Sequence, residues 1–357
     1  MLQRLNLSRI ELSLVIGIGL GILAMGLAGS LLLAAWAAQA LGFLPSPAPT
    51  LPPLFGPTDP APLPTPTPGP GPAPTATPFQ LAADCSGSER INILILGIDG
   101  RENDYSKAVR TDTLMVAGVN YADQTAALLS FPRDLYVALP GLADYGITEG
   151  RINSAYAYGE GYDLPGGGAG SARDAVTLNF GIRLHRHIVV NFQAFVDLVD
   201  ALGGVDVDVP VAIYDDRFPA DEGFGTIVFS MPAGLQHMDG ITALRYARTR
   251  HQDADYGRIK RQQQVLLAIR DKALQPDVLF RLPAIAEALY GSVRTDLSLS
   301  EMASLLCIGQ RVDRSAIRTY AIDAGYVMDW RTDDGALVII PRREAIAPIV
   351  REFNGGE

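Results

Sequence analysis

The chain has 357 residues, 48% of them hydrophobic and 19% charged, with a formal net charge of -10. That length suits one large or two ordinary domains, and the acidic balance argues against a nucleic acid as partner. The first quarter reads differently from the rest and does not belong to a globular core.

Leu12 to Ala38 carries no charged residue. A helix of that length crosses a hydrocarbon core of about 30 Å, so the segment reads as one transmembrane helix. A cleaved signal peptide is the alternative, since Ala34-Ala-Trp-Ala-Ala-Gln imitates a cleavage site. Arg4 and Arg9 precede the apolar run and no cation follows it before Arg90. The positive-inside rule then places residues 1–11 in the cytoplasm, residues 12–43 in a single-pass cell-membrane anchor, and the remainder outside the cell. Residues 44–84 form a Pro-rich linker, with 15 of the chain's 25 prolines between Pro45 and Pro78. Such a stalk favours extended polyproline II and, at about 3.1 Å per residue, reaches roughly 100 Å. A disordered linker of no set length is equally compatible.

Residues 85–357 are expected to form one domain. Arg90 to Gly97 is a near-continuous apolar run, the pattern of a strand buried on both faces. Thr113 to Val119 and Thr125 to Phe131 read as two further strands joined by the turn Asn120-Tyr-Ala-Asp. The glycine-rich stretch Gly166 to Arg173 lacks the strand and lysine of a phosphate loop and reads as a flexible loop, with Ser171 capping a helix from Asp174 to Phe180. A strand over His187 to Val190, a helix over Phe192 to Leu202 ended by Gly203-Gly204, and an alternating strand over Val205 to Pro210 follow. Asp239 to Ala247 reads as a short helix with Asp239 as its cap, and a long helix starts at Asp255. Further helices and strands at Arg318 to Ile322 and Leu337 to Pro341 complete the chain. Alternating elements of this kind predict a three-layer α-β-α domain with a central mixed sheet.

Cations are gathered locally in this acidic chain. Arg248, Arg250, Arg258, Lys260 and Arg261 fall within one short stretch, and guanidinium groups in that density suit phosphate or carboxylate oxygens. Asp255, Arg258 and Gln262 are spaced to share one helix face. Predicted strand ends carry Asp99 beside Arg101, Asp112 beside Arg110, and Pro132-Arg133-Asp134. Carboxylates at adjacent strand ends can converge on a hard divalent cation when phosphate supplies other oxygens. Five arginines with two acids would suit a pyrophosphate; a surface ion-pair network is the bland competitor. His185 and His187 have no partners at zinc-ligand spacing, and His251 would line the arginine site. Cys85 and Cys307 are the two cysteines; a disulfide and two separate buried thiols are both compatible with their spacing.

In order, Gly97-x-Asp-x-Arg, Arg110-x-Asp-Thr, Pro132-Arg-Asp, the run Arg151 to Gly159, Asp200 to Val207, Tyr246-Ala-Arg-Thr-Arg-His and Asp255-x-Gly-Arg-x-x-Arg-Gln-Gln resemble the LytR-CpsA-Psr family between Ile91 and Leu274. Ile98 departs from the small polar residue of many members. The resemblance implies a cell-envelope phosphotransferase that moves a glycopolymer from a polyprenyl-pyrophosphate carrier to peptidoglycan, with Mg²⁺, or Mn²⁺ in its place. On that pattern Asp99 and Asp112 bind the metal, while Arg110, Arg133, Arg248, Arg250, Arg258 and Gln262 clamp the pyrophosphate. Arg133, Asp134 and Asp255 are the catalytic candidates, Asp255 by orienting neighbouring arginines. Asp134, Asp112 and a metal-bound hydroxide all remain open as general base. The alternative is a non-catalytic polyprenyl-phosphate binder that senses envelope status.

Overall fold

The computed structural model describes residues 85, 90–100, 109–220, 225–250, 254–279, 285, 289, 292–333 and 335–356. The apolar run, the Pro-rich linker, Arg101 and His251 lie outside the described residues. Among those described, no helix is long and apolar enough to cross a membrane.

In chain order the elements are β1 (Arg90–Ile98), β2 (Thr111–Asn120), β3 (Thr125–Ser130), β4 (Tyr136–Ala138), β5 (Glu149–Arg151), α1 (Ser154–Gly161), α2 (Gly167–Phe180), β6 (Arg186–Asn191), α3 (Phe192–Ala201), β7 (Val205–Val209), β8 (Ile213–Pro219), β9 (Thr226–Met231) and β10 (Gly234–Met238). They continue as α4 (Gly240–Arg248), α5 (Ala254–Ala273), α6 (Pro276–Leu279), β11 (Val293–Thr295), α7 (Leu299–Arg311), β12 (Ile317–Ala321), β13 (Val327–Arg331), β14 (Leu337–Pro341) and α8 (Arg343–Phe353). Six strands build the central sheet in the order β11-β6-β1-β2-β3-β12. It is mixed: β1 runs parallel to β6 and antiparallel to β2, and β12 runs parallel to β3.

The period of two along β1 decides what each face meets. Leu94, Leu96 and Ile98 point into a close-packed core with Leu114, Val116 and Leu129, closed by Ala155, Tyr156, Ala172 and Val176 of α1 and α2 and by Phe353 of α8. Burying each such aliphatic side chain contributes about 1.5–3 kcal/mol. On the opposite face Ile95 of β1, Met115 of β2, and Ile188 and Val190 of β6 meet Phe195 and Leu198 of α3, Leu244 of α4, and Val265, Leu266 and Ile269 of α5 around a cavity of about 510 Å³. Helices therefore cover both faces, as the alternation of elements predicts.

One expectation changes and one open alternative is settled. The glycine-rich stretch is not a loop: α2 begins at Gly167, its cap is Gly166 in the left-handed region, and Ser171 lies inside the helix. The reason is contact. A Cβ on Gly168 would lie 2.7 Å from the Tyr156 ring, so glycine lets α2 approach α1 at backbone distance. The cysteines do pair: Cys85 and Cys307 form a disulfide with Cα atoms 5.2 Å apart, packed with Ile308, Val312, Val119 and Ile317.

Candidate functional site

Strand and helix ends bring Asp112, Arg248, Arg250, Arg258 and Gln262 into the cavity wall, and Arg133 and Asp255 interact with them, as Asp134 does with Arg133. Asp112, the second residue of β2, is half-buried and takes a close ion pair from Arg133, which follows β3. The turn carrying Arg133 is pinned by the Asn153 N–H, which donates to the Arg133 carbonyl at 3.2 Å. Asp134 lies 3.5 Å from Arg133 Nε and 3.6 Å from Arg151 Nε.

The other wall comes from α4, α5 and their connection. Asp239 caps α4 by accepting the Thr242 N–H at 2.8 Å, as the sequence predicts. The helix ends at Arg248, whose guanidinium lies 4.4 Å from the Phe192 ring centroid and 5.6 Å from that of Phe218. Two rings hold its plane at the cavity wall through cation–π attraction. Asp255, in the first turn of α5, accepts from Arg258 at 2.5 Å. Arg248, Arg250, Arg258 and Gln262 all line the cavity with Asp112. Gln262 also donates to the Ala247 carbonyl at 3.4 Å, linking α5 to α4.

Asp99 and Arg110 do not line the cavity; Asp99 follows β1 and Arg110 precedes β2. Both are exposed, and the Asp99 N–H donates to the Arg110 carbonyl at 3.1 Å. The cation-rich stretch therefore divides by task. Arg258 faces the cavity, whereas Arg261 is buried and donates to the carbonyls of Tyr246 and Thr249 at the end of α4. Lys260 is exposed on another side of α5.

Burial and mutual pairing set the electrostatics of these groups. Arg258 is only 3% exposed, and burial lowers its pKa despite the opposing pull of Asp255. Burial likewise raises Asp255, against Arg258, Arg133 and Arg250. Burial also works against the charge on Arg133, but Asp112, Asp134 and Asp255 outweigh it and push its pKa up. Among the described residues six buried side-chain polar atoms lack a hydrogen-bond partner, and five of them belong to Arg133, Arg151, Asn153, Asp255 and Arg258. Buried polar atoms are normally satisfied, so their concentration here marks where a polar ligand would complete the bonding.

No cluster of three or more His, Cys, Asp or Glu side chains suited to a metal occurs among the described residues. Asp99 and Asp112 are the carboxylates at the paired ends of β1 and β2 that could hold one. Asp99 follows the end of β1 and Asp112 lies at the start of β2, next to the Asp99–Arg110 backbone bond, and a hard divalent ion such as Mg²⁺ would take its remaining oxygens from phosphate and water.

The profile of the LytR_cpsA_psr family matches residues 74–351. The chain belongs to the LytR_cpsA_psr family. Over 227 residues it is 35% identical to the polyisoprenyl-teichoic acid–peptidoglycan teichoic acid transferase TagU of Halalkalibacterium halodurans, covering 63% of this chain and 67% of that protein. It is 32% identical over 209 residues to the regulatory protein MsrR of Staphylococcus aureus, covering 58% of this chain and little more than half, 57%, of that one. The fold is similar to the crystal structure of Bacillus subtilis TagV, with a TM-score of 0.61 and 26% identity, over 76% of this chain and 100% of that one.

This LytR_cpsA_psr chain also brings in residues that charge clustering missed. Arg151 and Asn153 were visible only as letters of a family motif, with no chemistry attached. Asp215 and Arg217 of β8 line the cavity too. Asp215 is buried and accepts the Thr249 hydroxyl at 2.6 Å and the Arg217 N–H at 3.1 Å. No sequence spacing links Asp215 to Thr249; only the fold does.

Proposed function

We propose that this protein is a phosphotransferase that moves a glycopolymer from a polyprenyl-pyrophosphate carrier to peptidoglycan. One observation carries the reading: an apolar cavity of about 510 Å³ with Arg248, Arg250, Arg258, Gln262 and Asp112 in its wall. Its natural ligand is amphipathic, an isoprenoid tail with an anionic head. The likeness to TagU, named for transfer of polyisoprenyl-linked teichoic acid to peptidoglycan, supports the same chemistry.

In this reading the tail lies among Ile188, Phe195, Leu198 and Leu266, and the pyrophosphate meets Arg110, Arg133, Arg248, Arg250, Arg258 and Gln262. Guanidinium groups aimed at the phosphoryl oxygens stabilise the charge that builds in transfer. Asp99 and Asp112 would hold Mg²⁺ or Mn²⁺, which supplies further charge neutralisation when bound. Asp134 and Asp255 fix the arginines. An N-terminal membrane anchor, with the domain held outside the cell, would bring this site to a lipid-linked substrate.

The test is transfer from a synthetic polyprenyl-pyrophosphate glycan to a peptidoglycan oligomer with Mg²⁺. Product formation is expected, and Arg133→Ala should lower kcat by about 100-fold or more. Wild-type rate in that variant would refute the clamp. The relation to MsrR, a protein named as regulatory, favours a second reading in which the site binds polyprenyl phosphate without turnover. Lipid that binds tightly while no acceptor is ever modified would decide for it.

A further inference from the structure

Three carboxylates, Asp112, Asp134 and Asp255, act on Arg133, and their oxygens are not equivalent. Asp112 is engaged by Arg133. Asp134 is 44% exposed and has a guanidinium nitrogen near each oxygen, Arg133 Nε at 3.5 Å from Oδ2 and Arg151 Nε at 3.6 Å from Oδ1. Asp255 differs. Its Oδ1 accepts from Arg258 at 2.5 Å, while Oδ2 is buried and has no hydrogen-bond partner. Among the described residues it is the only carboxylate oxygen in that condition. A buried lone pair without a donor, beside the arginines that would hold a phosphoryl group, is where a hydroxyl can deliver its proton.

We propose, resting on the transferase reading, that Asp255 is the general base, with Oδ2 taking the proton of the attacking sugar hydroxyl. The hydroxyl oxygen forms a bond to the glycan-side phosphorus. The bond from that phosphorus to the bridging oxygen breaks, and polyprenyl monophosphate leaves with the electron pair. The proton passes to Asp255 Oδ2 and returns to water after the product departs. Asp255 is faced by Arg258 and Tyr256 on its own helix, by Arg133 and Asp134 from the turn after β3, and by Arg250 from the connection after α4. Burial outweighs those cations and raises its pKa, which makes the carboxylate a better proton acceptor than an exposed aspartate. Arg258 therefore has two tasks, holding one carboxylate oxygen so that the other points free, and lining the phosphate cavity.

The experiment measures kcat over a pH series for wild type, Asp255→Asn and Asp134→Asn with the synthetic lipid-linked glycan, peptidoglycan oligomer and Mg²⁺, and measures binding of the glycan-free polyprenyl pyrophosphate separately. Asp255→Asn keeps an amide oxygen for Arg258, so lipid binding should stay within a few-fold of wild type. Its kcat should fall about 100- to 10,000-fold, and the acidic limb of the profile should vanish. Asp134→Asn should keep that limb. If the asparagine variant does not fold, Asp255→Glu poses the same question, with an expected loss of about 100-fold from the displaced carboxylate and a moved limb. Wild-type kcat, or an unchanged limb, in the folded Asp255 variant overturns the inference and leaves the transferase reading standing. Wild-type protein that binds the lipid and transfers to no acceptor overturns the transferase reading itself.

Discussion

The two faces of the central sheet are made by the same strands and end differently. On one, Leu94, Leu96 and Ile98 meet α1, α2 and α8 with almost no exposure; on the other, Ile95, Ile188 and Val190 look across a cavity at α3, α4 and α5. The closed face has recovered its full dispersion and hydrophobic energy. The open face has left apolar surface unpacked, which costs stability unless a ligand fills the space. Stability and function are thus assigned to opposite sides of one sheet.

Truncation should separate them most sharply. Leu96→Ala is expected to cost about 2–5 kcal/mol in urea unfolding, and Ile188→Ala at least about 1 kcal/mol less, because its side chain already borders a void. Equal losses would mean that the two faces are equally packed. Ligand linkage gives the next effect. A polyprenyl phosphate at 100 times its Kd should stabilise the wild type by about 2.7 kcal/mol, and Ala247→Trp, which fills the cavity, should remove that gain while the protein stays folded. Undiminished stabilisation would place the lipid elsewhere. The smallest effect belongs to neither face. Glu301 caps α7 with Ser298 and pairs with Arg186 at 2.6 Å, and these bonds hold its pKa at about 2, below the usual 4.5. A depressed carboxylate stabilises the fold above pH 4.5 and loses that contribution as pH falls toward 2. Glu301→Gln should abolish this acid sensitivity, at a cost of about 1 kcal/mol or less, without changing the ligand's effect.

Much of this was legible in the sequence, for identifiable reasons. Arg90 to Gly97 is near-continuously apolar because both faces of β1 are covered, and the cap at Asp239 is a local bond that local residues reveal. The face shared by Asp255, Arg258 and Gln262 follows from helical spacing alone. The β8–β9 hairpin was not read, because its inward residues are Ile213, Asp215 and Phe218, and a buried aspartate with a bulge erases the alternation. Its partner, Thr249, lies in another element. The division of labour between Arg258 and Arg261 was equally hidden. Adjacent turns of one helix place one guanidinium toward the cavity and the other on the carbonyls that end α4.

That second arginine has a thermodynamic consequence. By fastening the Tyr246 and Thr249 carbonyls to α5, Arg261 fixes the separation between Arg248 and Arg258 through backbone rather than through an incoming anion. Much of the ordering of that pair is completed during folding, so an anionic headgroup binds with a smaller loss of conformational entropy than flexible side chains would impose.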